Sequence, residues 1–503
     1  MVNFKYLIIS AALLHATFVF GQTDVSSQAP SSNSLADQKQ SLLDTYSKLI
    51  KKNNSFLMGN RETIYIQAPA QFDSIVDSLE YTVQQLVRSF DGMDSPLIDS
   101  LLTEAKFKHR RYRLLYPQNY HRFSGFDKKA PVSDDYFEDV MKDSFHDPSL
   151  LQLKEYRRCV NFYLDILSAG DYKFSHLEYV PIKRLENRYN AIVALDAQQS
   201  VKDFLLKDYF TSNIWTYRVE AFDYAYAKAL EDVKNEEYVK EIKDTYQMGI
   251  NRRNEASELK VYKTVNGVTL NAHIFYPPNH DKGEAKPAHL FFHGGGWAIG
   301  LPEWSYGACK GAAEEGRVAI SFDYRNRHVH GTNVRASVSD GLAAIAWVRE
   351  NAKELGIDPN KVLVEGFSSG AHMALVASMI ENTEDFGVTS KYSSKPDALI
   401  LGSCPYDIAG RDVYNIQYDT RTISPLHLLD RDLPPILAFH GEDDDIVEFP
   451  EFEKFREAIQ KTKNSFISRS YAGSGHFYFM GSSEEDSEER RRLTDEFLLK
   501  HGY

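Results

Sequence analysis

Residues 362–375 read VLVEGFSSGAHMAL. An apolar run climbs to Gly366, passes Phe367, Ser368, Ser369 and Gly370, and continues as an apolar stretch of good helix formers. Such a pattern describes a buried strand that turns sharply into a helix. Two readings of the turn are open. It is a plain tight turn, or it holds Ser368 up as a nucleophile on a bend that only small residues permit. The pattern G-x-S-x-G does not separate them by itself, since about 0.2 chance matches are expected in a chain of this length at ordinary Gly and Ser frequencies.

The sequence around the turn carries more weight. ELKVYKTV and VTLNAHIF alternate like strands about Asn266-Gly267, a strong hairpin signal. Then AHLFFH, RVAISFDY, KVLVEGF, DALILG and PPILAFHG read as apolar strands, with a last strand near 465–471. Helical stretches fall between them, near 303–315, 333–354, from 370 and near 450–461. Strand and helix in alternation predict a mostly parallel sheet covered by helices on both faces. A boundary near residue 255 separates this half from what precedes it.

A serine nucleophile needs a base, an acid to orient the base, and donors for an oxyanion. Each is available at a strand end. FFHGGGW (291–297) follows an early strand and offers main-chain N–H groups at glycines. AFHGEDDDIV (438–447) offers Asp443, Asp444 and Asp445, and AGSGHFYF (472–479) offers His476. The order Ser, Asp, His is the one expected of an α/β-hydrolase.

At these residues the chain resembles the α/β-hydrolase superfamily, in particular its esterase/acetylesterase group related to hormone-sensitive lipase. The resemblance covers about residues 260–500. HGGGW is similar to the family's oxyanion motif, which implies donors at Gly295 and Gly296 with Ser369 as the third. GFSSGAH resembles the elbow usually written G-x-S-A-G-G-H, with Ser369 and Ala371 as small replacements and Phe367 where the lipase-like form has Asp. Asp323-Tyr324-Arg325 also has a family counterpart. The spacing H-G-x-x-D from His440 implies Asp444 as the acid, with Asp443 and Asp445 one residue to either side, and G-S-G-H-F implies His476 as the base. The resemblance therefore implies an α/β-hydrolase fold and a serine carboxylesterase for short acyl groups, working through Ser368, His476 and Asp444 without metal or cofactor. A small-molecule or carbohydrate ester is the expected substrate, and Trp297 and Trp304 are the expected contacts to it. A peptidase of the prolyl-oligopeptidase type shares the fold, but resembles G-x-S-Y-G-G at the elbow and usually carries a β-propeller. A binding protein with a vestigial hydrolase half is a third reading, against which the intact Ser, Asp and His argue.

The remaining sequence is less specific. Lys5 precedes the apolar run YLIISAALLHATFVF, and small residues near Gly21 fit a cleavage site, so residues 1–21 read as a signal peptide and the protein as secreted or periplasmic. A retained single-pass anchor is the alternative. Residues 22–38 read as a disordered leader, and residues 39–254, with apolar positions three and four apart, as a separate, mostly α-helical domain whose partner the sequence does not name. A net charge of -13 argues against nucleic-acid partners. His109–Arg113 is basic, but reads as a helix face paired with acids. Cys159, Cys309 and Cys404 form neither a disulfide framework nor a metal-ligand spacing. His328 and His330 in RNRHVHGTN read as an exposed loop rather than a metal site.

Overall fold

The computed structural model describes residues 34–90, 95–125, 129–169, 181–409, 419–429 and 431–503. The signal-peptide reading therefore lies outside the described residues. The described residues fall into two compact units, one within Met1–Ser175 together with Asn190–Lys202 and one within His176–Tyr189 together with Asp203–Tyr503.

The first unit is helical. Its longer helices are α1 (Leu35–Gly59), α2 (Pro69–Arg88), α3 (Ser95–Ser124) and α4 (Lys154–Ala169). Helix α1 starts at Leu35, three residues before the expected end of the leader at residue 38. Ser34 explains why: its hydroxyl accepts from the Asp37 N–H while the Asp37 carboxylate accepts from the Ser34 N–H, a reciprocal cap. Aromatic residues at helical spacing are packed inside, with Phe72 against Tyr65 and Tyr116. The basic cluster on α3 is paired. Arg113 meets Asp73, Asp77 and Glu80, Arg111 meets Glu155, and His109 is fully buried.

The second unit is built on one sheet of eight strands: β1 (Glu258–Val265), β2 (Val268–Phe275), β3 (Lys286–Phe292), β4 (Val318–Phe322), β5 (Ile357–Phe367), β6 (Ala398–Gly402), β7 (Ile436–Gly441) and β8 (Phe466–Tyr471). Their order across the sheet is β1-β2-β4-β3-β5-β6-β7-β8, antiparallel at β1/β2 and β2/β4 and parallel elsewhere. Asn266 and Gly267 both take positive φ, 50° and 77°, as the two-residue hairpin between β1 and β2 requires. This is the α/β-hydrolase fold. The helices that cover the sheet are α5 (Tyr306–Glu314), α6 (Val334–Glu350), α7 (Ser369–Met379), α8 (Phe449–Ile459) and α9 (Glu484–His501).

Side-chain alternation along the strands divides the covering layers. Leu290, Phe292, Val362 and Val364 point into the main core with Val338, Leu342, Met373 and Val376 of α6 and α7. Phe291 packs on the opposite face with Cys309 and Ala312 of α5, and Leu363 on that face with Phe497 and Leu498 of α9. β1 follows the last helix before it, Glu236–Arg253, at the expected change from helix to strand. The compact unit that holds the sheet nonetheless begins earlier than residue 255. Residues 203–253 are tied to it by polar contacts: Arg218 to Asp323 at 2.5 Å, the Trp304 indole N–H to the Trp215 carbonyl at 2.7 Å, and Arg252 to the Glu303 carbonyl at 2.8 Å.

Candidate active site

β5 ends at Phe367, and α7 begins two residues later. Between them Ser368 takes φ 52° and ψ -121°, a conformation that side chains rarely adopt and that stores strain at functional turns. The flanking glycines are required by space. A β-carbon on Gly366 would stand 2.4 Å from the Gly370 carbonyl oxygen, and one on Gly370 would stand 2.0 Å from the Phe292 carbonyl oxygen. Both obstacles are main chain, so neither can swing aside. The G-x-S-x-G spacing is thus what lets β5, the elbow and the end of β3 approach one another.

Ser368 is nearly buried, and its hydroxyl lies 3.0 Å from His476 Nε2. His476 Nδ1 donates to Asp444 Oδ2 at 2.8 Å. The other Asp444 oxygen accepts from the N–H groups of Ile446 and Val447 at 2.9 and 2.8 Å. Burial opposes the charge on Asp444, but the hydrogen bonds from His476 and from these two amides outweigh it and hold its pKa below the ordinary carboxylate value. Asp443 and Asp445 are exposed. The structure therefore brings together Ser368, His476 and Asp444, and of the three neighbouring aspartates Asp444 is the one hydrogen-bonded to the imidazole.

The glycine loop lies against the elbow. A β-carbon on Gly294 would meet the Ser368 β-carbon at 3.4 Å, and Gly294, Gly295 and Gly296 line the same cleft as Ser368 and His476. Gly295 has φ 120°, and a β-carbon there would stand 2.1 Å from the Ile299 carbonyl oxygen. Ser369 opens α7, where a backbone N–H has no partner one turn back, and no side chain caps that end. The helix dipole adds partial positive charge at the same place.

Asp323, Tyr324 and Arg325 explain their own motif. Asp323 accepts from the Asn271 N–H and pairs with Arg218. Tyr324 stacks on His293 with ring centres 4.2 Å apart and donates its hydroxyl to the His293 carbonyl at 2.8 Å, which braces the glycine loop. Arg325 makes three hydrogen bonds to the buried Asp340, one from its main-chain N–H and two from its guanidinium. His293 itself is fully buried, and burial, partly offset by its bond to the Gly294 carbonyl, lowers its pKa to about 4.

Two sequence expectations fare differently. Trp304 lines the cleft. Trp297 does not: its φ of 56° turns the residue inward, and the ring lies buried, edge-on to His372 at 5.0 Å. His372 is buried too and bonds the Ile423 carbonyl at 2.8 Å. His330 is placed by Asn326, whose N–H meets its Nδ1 at 3.1 Å. Among the described residues no group of three or more His, Cys, Asp or Glu is arranged to hold a metal, and no helix is long and apolar enough to cross a membrane.

One contributor was not foreseen. Ser403, just after β6, donates its hydroxyl to the His476 carbonyl at 2.8 Å. The preceding Gly402 carbonyl accepts from the Ser368 N–H, also at 2.8 Å. The end of β6 thus touches both ends of the hydrogen-bonded pair. A serine after an apolar strand is too common a pattern to have revealed this.

The second unit is similar in sequence to known esterases. The BD-FAE family profile matches residues 273–400. A probable isoprenylcysteine alpha-carbonyl methylesterase of Arabidopsis thaliana is 26% identical over 276 residues, covering 45% of this chain and 57% of the relative. Esterase LipC of Mycobacterium tuberculosis is 25% identical over 213 residues, covering 38% of this chain and 52% of the relative. The chain spans about half the length of these curated relatives. Among solved structures, the apo form of esterase 2 of Thermogutta terrifontis is 33% identical, with a TM-score of 0.46, covering 49% of this chain and 96% of that one.

Proposed function

We propose that this chain, which belongs to the α/β-hydrolase superfamily on its esterase side, is an exported serine carboxylesterase that hydrolyses short-acyl esters, including esters on carbohydrate. The observation that carries the reading is the hydrogen-bonded line from Ser368 Oγ through His476 to Asp444.

In this mechanism the Ser368 hydroxyl attacks the ester carbonyl while His476 Nε2 takes its proton. Asp444 holds the imidazole in the tautomer with hydrogen on Nδ1 and stabilises the charge that forms. The N–H groups of Gly295, Gly296 and Ser369 receive the oxyanion, a contribution worth about a hundred- to a thousandfold in rate per donor in comparable enzymes. His476 then protonates the leaving alcohol oxygen. Water, activated by the same imidazole, attacks the acyl-enzyme and releases the acid. Export rests on the charged and apolar pattern of residues 1–21.

The test is hydrolysis of p-nitrophenyl acetate, butyrate and octanoate by the full chain. Short-acyl specificity predicts the highest kcat/KM on acetate. A maximum on octanoate would refute it.

A further inference from the structure

The cleft at Ser368 does not stop at the sheet edge. Its volume is about 1090 Å³, and it runs down the face of the sheet between α5 and α9. Ala308, Gly311 and Ala312 on α5 face it at helical spacing, as do Thr494 and Leu498 on α9. The small residues on α5 leave this passage open, and a β-carbon built on Gly311 meets nothing within 4 Å.

The two ends of the passage differ in chemistry. At the mouth, Phe367 packs against Phe477 and Phe479 with ring centres 5.5 and 5.1 Å away, and Ile446 and Met480 beside them are exposed. At the inner end lies Glu365, a carboxylate in mid-sheet with 36% of its side chain accessible. It accepts from His289 Nε2 at 3.0 Å. Three buried polar atoms on residues lining this passage have no hydrogen-bond partner: His289 Nδ1, Arg317 Nε and Arg490 Nη1. Arg317, itself only 6% exposed, pairs through its guanidinium with Glu315. Burial lowers the pKa of His289, and the hydrogen bond with Glu365 works against that shift. Unsatisfied buried donors and acceptors of this kind call for a partner.

Resting on the esterase reading, we propose that this passage binds the leaving-alcohol limb of the ester and selects a limb with an apolar spacer of about 10 Å ending in a neutral hydroxyl. The length follows from the strand: Glu365 is three residues before Ser368, or about 10 Å along β5. The side of the ester follows from His476, which protonates the leaving oxygen and whose own segment, 476–480, forms the wall of the mouth. The terminal group follows from the inner end, where a hydroxyl can donate to Glu365 and accept from Arg490 at once. Charges of both signs line this stretch, Glu315, Glu365 and Asp495 with Arg317, Arg490 and Arg491, so neither an anion nor a cation is matched there.

The experiment compares kcat/KM of the full chain on methyl acetate, octyl acetate and octanediol monoacetate, read as acetic acid release, for the wild type, Gly311→Leu and Glu365→Leu. Gly311→Leu puts a better helix former on α5 with its side chain in the passage, and should lower both long-limb rates at least about tenfold relative to methyl acetate. Glu365→Leu should erase about a tenfold preference for the diol ester over octyl acetate. Thermal melting shows whether each variant folds, and either one suffices for the test. Selectivity ratios unchanged in the folded variants, with methyl acetate still turned over, would overturn the passage alone. A wild type that hydrolyses none of the three acetates would overturn the esterase reading and the passage with it.

Discussion

Ser403 and His476 are joined by a 2.8 Å hydrogen bond from the serine hydroxyl to the histidine main-chain carbonyl. The imidazole is thus positioned at its main chain by β6 as well as at its ring by Asp444. Ser403→Ala should lower kcat several-fold, up to about tenfold, with KM little changed, because the lost bond orients the base without touching the ester. An unchanged kcat would show that the loop 472–479 holds His476 without it.

Asp444 is singled out from its acidic neighbours by two backbone amides and by His476. Asp444→Asn should cut kcat at least about a hundredfold, since the amide favours the wrong imidazole tautomer. Asp443→Asn and Asp445→Asn alter exposed side chains and should stay within about twofold. A large loss at either neighbour instead of Asp444 would reassign the acid.

Gly370 faces the Phe292 carbonyl at a distance that admits no β-carbon. Gly370→Ala should destabilise the fold by about 3 kcal/mol or more and abolish activity, because only main chain can move to make room. Gly307→Ala, on α5 with open space around it, is the matched control and should melt at the same temperature or slightly higher. Equal melting of both variants would remove the steric account of the elbow.

One buried and one half-buried histidine of the second unit, His293 and His330, make its stability depend on acid. Burial lowers the pKa of both His293 and His330 from 6.5 to about 4, with the Gly294 carbonyl working against the shift at His293 and Arg218 adding to it at His330. Below 6.5 the unfolded chain takes up protons that the folded chain refuses, so stability is complete above that pH and falls as pH drops toward 4. The melting temperature should therefore decline between pH 6.5 and 5, where ordinary carboxylates do not yet titrate. A constant or rising melting temperature over that interval would contradict the shifts.

Most of the fold was legible because β3 to β7 are short apolar runs, while β1 and β2 alternate about the Asn266-Gly267 hairpin turn. The juxtaposition of Ser368, Asp444 and His476 was legible because each follows a strand end that its neighbours mark. Other features depend on geometry that no local pattern carries. Trp297 reads as a cleft aromatic until its positive φ is seen. Helix α9 escaped notice because it is charged on most of its surface, although Ser483 caps its start and Gly502 its end. The attachment of residues 203–253 to the sheet rests on single polar contacts such as Arg218 with Asp323, which have no periodicity. The passage beneath Ser368 is lined on α5 by small side chains, Ala308, Gly311 and Ala312, which no local pattern marks as the wall of a cleft.

The central claim is that Ser368 becomes acylated. The direct measurement is rapid mixing of the full chain with p-nitrophenyl acetate, following nitrophenol release and, after acid quench, the mass of the peptide that contains residues 362–375. The account predicts a burst of about one equivalent and one acetyl group on Ser368, both absent in Ser368→Ala. Acetyl on another residue, or equal turnover by the variant, would contradict it.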